Sequence, residues 1–232
     1  MFGKTMLEKS MSEKSMLDKV MLKNIKLWLL VIVTLGTNLV AANQMSYSAD
    51  TTAVSNYVFR GQTLSDDAPA LQAGFYAAND KGWTYRFWAS SYDMNGDTDG
   101  KLEASLNYRG EVDKYFNVMF GTKYYGYESD NTQESMEWHF GLEAFDVSAV
   151  YHRNEELDTE YMEFGYFWQF NRQWRVDAHY GIAKPIYSKE TGDDYSVSGN
   201  YSFNKDLNVF VTLGSHNRHE DYALAGVTYN IW

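Results

Sequence analysis

The amino-acid sequence predicts an all-β chain, a transmembrane antiparallel up-and-down β-barrel of about 12 strands behind a removable leader. Three observations predict it. After Asn43, apolar residues recur with period two, the mark of strands with two unlike faces. The connections between these strands alternate between short and long. Aromatic residues gather near the strand ends with smaller aliphatics between them, which suits two membrane interfaces around a hydrocarbon band. A mean hydropathy of −0.49 excludes only a helical membrane protein, because a barrel alternates lipid-facing and lumen-facing residues and averages to polar.

The leader spans residues 1–42. Residues 27–36 (LWLLVIVTLG) form its apolar run, far short of the roughly 20 residues a spanning helix needs. Lys23 and Lys26 precede the run, and Val40-Ala41-Ala42 offers small residues to a peptidase, so the segment reads as a secretory signal peptide cleaved after Ala42. A near-repeat beginning at Met6, Met11 and Met16 lies ahead of it. Met21 onward is already a complete signal peptide, which makes Met21 or Met16 the economical translation start and a short amphipathic helix the alternative. The leader holds six Lys against Glu8, Glu13 and Asp18, so residues 43–232, the expected barrel, are more acidic than the net −11 of the whole chain.

The expected strands run over 46–60, 70–78, 83–92, 101–109, 115–127, 135–144, 147–152, 159–170, 174–183, 194–203, 207–215 and 222–231. The alternation is clearest at 101–109, where Leu102, Ala104, Leu106 and Tyr108 oppose Lys101, Glu103, Ser105, Asn107 and Arg109. It recurs at 136–144, with Trp138, Phe140 and Leu142 against Glu137, His139 and Glu143, and at 174–182, with Val176 and Ala178 against Arg175, Asp177 and His179. The segment 147–152 is short and ambiguous in phase. The tight connections are 79–82, 110–114, 145–146, 171–173 and 204–206; the long polar ones are 61–69, 93–100, 128–134, 153–158, 184–193 and 216–221. Tight turns on one rim and long loops on the other is the plan of an outer-membrane barrel, with both termini on the short-turn side. A soluble sandwich or lipocalin-like barrel needs no aromatic banding, and here Tyr57, Phe59, Trp83, Tyr124, Trp138, Tyr161, Trp168, Phe170, Trp174, Tyr195 and Tyr222 supply it. The terminal Trp232 suits the aromatic ending that barrel-assembly machinery reads, one residue out of phase with Tyr229 and Ile231.

Composition removes several function classes. Without cysteine there is no disulfide framework, thiolate nucleophile or Cys-ligated metal. The acidic balance excludes nucleic acid as a partner. Of the five histidines, His139, His152 and His179 fall on the polar faces of strands and His216 and His219 in a loop; no G-x-S-x-G elbow occurs, so a lipid-hydrolysing barrel is not expected. The run Asp93, Asn95, Asp97, Asp99 alternates oxygen ligands like half a calcium loop, but it lacks the distal glutamate and reads better as a solvated hairpin loop than as a metal site. No cofactor is expected. An acidic rim on the long loops, including Asp66, Asp67, Glu155, Glu156, Asp158, Asp193 and Asp194, serves solubility or attracts cations shared with lipopolysaccharide.

The first strand and loop read Ser55-Asn56-Tyr57-Val58-Phe59-Arg60-Gly61-Gln62-Thr63-Leu64-Ser65-Asp66-Asp67, then Pro69-Ala70-Leu71-Gln72. This resembles the opening signature of the TorF-type porins, small proteobacterial outer-membrane proteins formerly described as of unknown function. The likeness continues as pattern along residues 43–232, including 121–127, although only the opening stretch is specific. The family commonly carries an acid where Asn56 stands and a glycine where Ala73 stands. The resemblance implies a porin-like barrel and leaves the solute open.

A physical reading of the signature is a loop clamp. Arg60, inward at a strand end, pairs with Asp66 or Asp67; Gly61 permits the sharp exit, and Pro69 stiffens the return. The channel-lining set is Arg60, Arg86, Glu103, Arg109, Lys123, Glu137, Arg175 and Asp177, narrowed by Tyr76, Trp88, Tyr92, Tyr125 and Phe210. Twelve strands enclose an interior between that of a filled small barrel and an open porin. Two functions follow as expectations. One is passive diffusion of small hydrophilic solutes or ions across the Gram-negative outer membrane, filtered by width and by charge; the other is a closed structural or surface-interaction barrel acting through its acidic loops.

Overall fold

A computed structural model describes residues 45–94, 97–128, 134–185 and 191–231. The predicted leader and Trp232 lie outside the described residues.

Twelve strands close into one antiparallel barrel. In chain order, β1 (Met45–Val54) is followed by two short strands, β2 (Val58–Phe59) and β3 (Gln62–Thr63), that pair only with each other. The wall continues with β4 (Ala70–Asn79), β5 (Trp83–Met94), β6 (Asp97–Asp113), β7 (Phe116–Tyr127), β8 (Ser135–Ala144), β9 (Val147–Asn154), β10 (Thr159–Gln169), β11 (Trp174–Pro185), β12 (Gly192–Ser202), β13 (Leu207–His216) and β14 (Tyr222–Asn230). Each pairs with its neighbour along the chain, and β1 also pairs with β14, Thr52 opposite Thr228. Closure leaves the wall without an edge strand, so every strand's backbone groups are served on both sides.

The alternation seen in the sequence sets the two faces. Leu71, Leu102, Phe140, Leu142, Val197, Val211 and Leu213 are exposed on the outside, while Lys101, Glu103 and Glu137 are buried inside. Aromatic clusters Trp83–Tyr108–Phe120, Trp168–Phe170 and Trp174–Tyr201–Phe203 sit outside near the short-turn rim. Trp138 and Tyr151 pack together toward the other rim. Among the short turns, Phe145 and Asp146 both have positive φ (53° and 65°), the two-residue type I′ geometry whose twist suits a tight hairpin.

Several connections are shorter than the sequence predicts because the ladder runs on. Asp93 pairs with Thr98 and Tyr92 with Asp99, so the acidic run at 93–100 is mostly strand and not the loop the sequence predicts. Asn95 lies outside the described residues; Asp99 accepts bonds from the Tyr92 hydroxyl (2.9 Å) and the Gly100 amide (2.7 Å). At 110–114, β6 continues through a bulge between Glu111 and Asp113. The expected loop 153–158 reduces to four residues between Asn154 and Thr159, where the Arg153 guanidinium, 2.7 Å from Glu155, holds that carboxyl below the ordinary carboxylate range.

The main departure is at the first strand. It ends at Val54, not at residue 60. The Ser55 amide donates to the Ala225 carbonyl at 2.9 Å, and the Ala225 amide to Ser55 Oγ at 3.0 Å, after which the chain turns into the barrel. Tyr57 and Phe59 therefore belong to an internal hairpin and not to an outer aromatic girdle. Tyr161 and Tyr222 are also inside: Tyr161 is 2% exposed, and Tyr222 lines an internal cavity.

Candidate functional site

The internal hairpin occupies the long-loop half of the lumen. Its tip is Arg60-Gly61, both at positive φ (50° and 73°), with Val58 opposite Thr63 and Phe59 opposite Gln62. This is again a two-residue turn of the type I′ kind, which favours glycine at its second position. Space demands glycine as well: a Cβ on Gly61 would overlap Asp194 and approach His216 Cδ2 to 2.9 Å.

Asn56 organises the hairpin's base. Its Nδ2 donates to Asp67 Oδ1 (2.6 Å), and its Oδ1 accepts from Thr63 Oγ1 (2.6 Å) and Ser65 Oγ (3.0 Å). Ser65 Oγ in turn accepts from the Tyr57 amide at 2.7 Å, and the Leu64 amide donates to the Tyr57 carbonyl at 2.7 Å. Asn56 is 3% exposed and Ser65 is fully buried. Such a network is satisfied without water, which suits a segment held inside a barrel.

Two walls grip what projects from this base. Toward β5–β7, Tyr57 packs on Trp88 with ring centroids 5.6 Å apart and Phe59 on Tyr125 at 5.9 Å. Lys101 lies beneath them, its Nζ 3.7 Å from the Phe59 ring centroid, 3.1 Å from the Tyr57 hydroxyl and 3.2 Å from Glu103. Burying an ammonium this deeply requires such partners. Toward β8–β12, the Arg60 guanidinium lies over the Tyr161 ring at 4.2 Å and donates to Glu137 at 2.9 Å. Glu137 also accepts from the Tyr125 hydroxyl (3.1 Å) and contacts His152 Nδ1 (2.9 Å). Next to it, Asp194 accepts from the Tyr161 hydroxyl at 3.0 Å and contacts His179 Nε2 at 2.9 Å.

This changes the clamp the sequence predicts. Among the described residues Arg60 pairs with Glu137 of the far wall, not with Asp66 or Asp67. Asp67 is taken by Asn56, and Pro69 precedes the return into β4. Asp194 belongs to the inner wall, not to an acidic rim.

The eight residues expected along the lumen all face inward, at two levels. Arg86, Glu103, Lys123 and Glu137 join Arg60 around the hairpin, with Arg86 and Lys123 at 3.6 and 3.7 Å from Glu103. Nearer the short turns, Arg109 pairs with Glu143 at 2.7 Å, and Arg175 pairs with Asp177, whose other oxygen accepts from Asn200 at 2.7 Å. The Arg109 side chain is 57% exposed and that of Lys101 not at all. Lumen side chains are thus more exposed toward the short turns and buried around the hairpin toward the long loops. Beside the hairpin remains a cavity of about 470 Å³ lined by Trp88, Phe210, Glu163, His179, Ser196 and Thr212, among others. Among the described residues no group of three His, Cys, Asp or Glu is arranged to hold a metal.

A family model described as a bacterial protein of unknown function (Gcw_chp) matches residues 39–196. No curated protein matches the chain in sequence. Among solved structures, the KdgM porin superposes with a TM-score of 0.62 at 12% identity, covering 78% of this chain and 98% of its own. The KdgM porin in complex with disordered oligogalacturonate gives 0.61 at 10% identity, with 79% and 98% covered. The NanC porin gives 0.53 at 8% identity, with 78% and 97% covered. At these identities the likeness is one of fold: a closed antiparallel barrel of 12 strands.

Proposed function

For a chain that belongs to the Gcw_chp family of bacterial proteins of unknown function, we propose a porin-like channel of the Gram-negative outer membrane that passes small hydrophilic solutes or ions. The observation that carries this reading is the inversion of polarity across the wall: apolar side chains cover the outside, and charged ones line the inside. A water-soluble barrel has no use for so large an exposed apolar belt, whereas hydrocarbon needs one. The fold shared with porins supports the same reading. It makes lipid and lipopolysaccharide the outer neighbours, with an N-terminal signal peptide and the barrel-assembly machinery serving export and insertion. The resemblance of the opening signature to TorF-type porins belongs to this proposal. The barrel acts by passage, not by catalysis.

The internal hairpin sets the width of the path. Oligogalacturonate, the solute in the KdgM complex, is a polyanion; here the lumen cations stand beside carboxylates, so the reading stays with small solutes. A closed barrel acting through its loops is the second reading, favoured by the buried packing of Val54, Tyr57, Ala70, Trp88 and Tyr92 around the hairpin. Planar-bilayer recording separates the two. The folded, detergent-purified protein is expected to give discrete conductance steps; a correctly folded barrel that inserts and stays silent would support the closed reading instead.

A further inference from the structure

The charged side chains around the cavity beside the hairpin are sorted by wall, with Lys101 and Glu137 buried behind its lining. On the β5–β7 side, one carboxylate, Glu103, has three cations around it: Lys101 at 3.2 Å, Arg86 at 3.6 Å and Lys123 at 3.7 Å. On the β8–β12 side the balance reverses, with Glu137, Glu163 and Asp194 inward and Arg60 the guanidinium placed among them. The first wall carries more ammonium and guanidinium groups than carboxylates, and the second more carboxylates than guanidinium groups. Opposite fields across a low-dielectric space act on whatever lies between them.

Both walls keep binding capacity in reserve. Arg86 and Lys123 stand beyond hydrogen-bond distance from Glu103, and Arg86 Nε is buried without a hydrogen-bond partner. A guanidinium with unused donors is a ready seat for a carboxylate. Opposite, Glu163 is 37% exposed at its side chain, with His152 Nε2 at 3.4 Å and His179 Nδ1 at 3.9 Å. The His152 side chain is nine-tenths buried, and its Nε2 makes no hydrogen bond. Arg86, Lys123, Glu163, His152 and His179 all line the same cavity of about 470 Å³.

We propose that this cavity selects small zwitterions of amino-acid size, the solute's carboxylate seated on Arg86 and Lys123 and its ammonium on Glu163 with Asp194 behind. The inference rests on the channel reading and names its solute class. A neutral polyol entering here leaves both walls unpaired, an anion meets Glu163 and Asp194, and a cation meets Arg86 and Lys123; only a molecule carrying both charges satisfies both sides.

The test is uptake of three labelled probes into liposomes carrying the full-length folded barrel: glutamine as the zwitterion, arabinose as a neutral solute of similar mass, and gluconate as an anion. Glutamine is expected to enter about tenfold faster than arabinose, the lower end of what a charged cleft does for a matched solute, with gluconate slower than glutamine. Arg86→Gln and Glu163→Gln should each bring the glutamine-to-arabinose ratio down toward unity, with folding of each variant checked by heat-modified gel migration. The exchange variant, Arg86→Glu with Glu163→Arg, should recover part of the ratio, because a zwitterion can enter turned around; a merely structural role for either residue predicts further loss. A ratio of unity in the unaltered protein while arabinose enters overturns the inference and leaves the channel standing. So does a ratio that neither variant moves, or gluconate outrunning glutamine. Failure of every probe to enter through a folded barrel overturns the channel reading and the inference together.

Discussion

Arg60→Ala is expected to cost the folded barrel about 3 kcal/mol, the low end for breaking a buried ion pair. Glu137, the partner, is 1% exposed and loses its charged partner when the guanidinium goes. Tyr125 and His152 still contact it at 3.1 and 2.9 Å, which is why the low end applies. The loss also removes the contact of Arg60 with the Tyr161 ring at 4.2 Å, so the hairpin tip has no remaining charged attachment to β8. Urea unfolding of the protein in lipid vesicles measures the cost. A double-mutant cycle isolates its origin: in a Glu137→Gln background, Arg60→Ala should cost less than about 1 kcal/mol, because no stranded carboxylate remains. Equal costs in both backgrounds would mean that Arg60 acts through packing alone.

The second large effect belongs to Asn56. Its amide makes three side-chain bonds, to Asp67, Thr63 and Ser65, of which Ser65 is fully buried while Thr63 and Asp67 reach solvent. Asn56→Ala breaks all three, and about 2 kcal/mol is expected, since water replaces the bonds of Thr63 and Asp67 but not that of Ser65. Thr63→Val removes the bond to Asn56 and the longer one from the Asp67 amide (3.4 Å), both at an exposed hydroxyl, and should cost about 1 kcal/mol. The two effects differ in consequence as well as size. Without Asn56 the base of the hairpin opens, so its conductance steps should become larger and noisier than those of the unaltered barrel, whereas Thr63→Val should leave the steps discrete.

The wall of this barrel was readable from residue spacing because parity is local. Leu102 beside Glu103, or Trp138 and Phe140 beside Glu137 and His139, assigns a face wherever the strand begins, and β8 runs over Ser135–Ala144 as the alternation predicts. What spacing could not show was where alternation stops being wall. Tyr57, Phe59 and Arg60 continue the rhythm of β1, yet the chain has already turned inward at Ser55, and only the bonds to Ala225, 170 residues away, announce it. Arg60 had two aspartates close by in sequence and chose a glutamate 77 residues on, since closure of the barrel brings β8 opposite the hairpin. Asn56 carried no local signal of its hub role.

Tyr161 is a different kind of miss. Phe164, Tyr166 and Trp168 are exposed on the even positions of β10, which places odd-numbered Tyr161 inside with Glu163. Parity assigns Tyr161 inward, while an aromatic ring near a strand end suggests the outer girdle, and parity prevails. The acidic character of 93–100 similarly suggested a loop, although Tyr92 and Asp99 are simply cross-strand partners.

One comparison bears most directly on the account of a lipid-facing cylinder whose bore is narrowed by its own hairpin: single-channel conductance of the unaltered protein beside that of a chain in which residues 57–66 are replaced by a short Gly-Ser link. Both are expected to insert and give discrete steps, with those of the linked variant several-fold larger because the long-loop half of the bore is cleared. Steps of equal size from the two proteins would contradict the account.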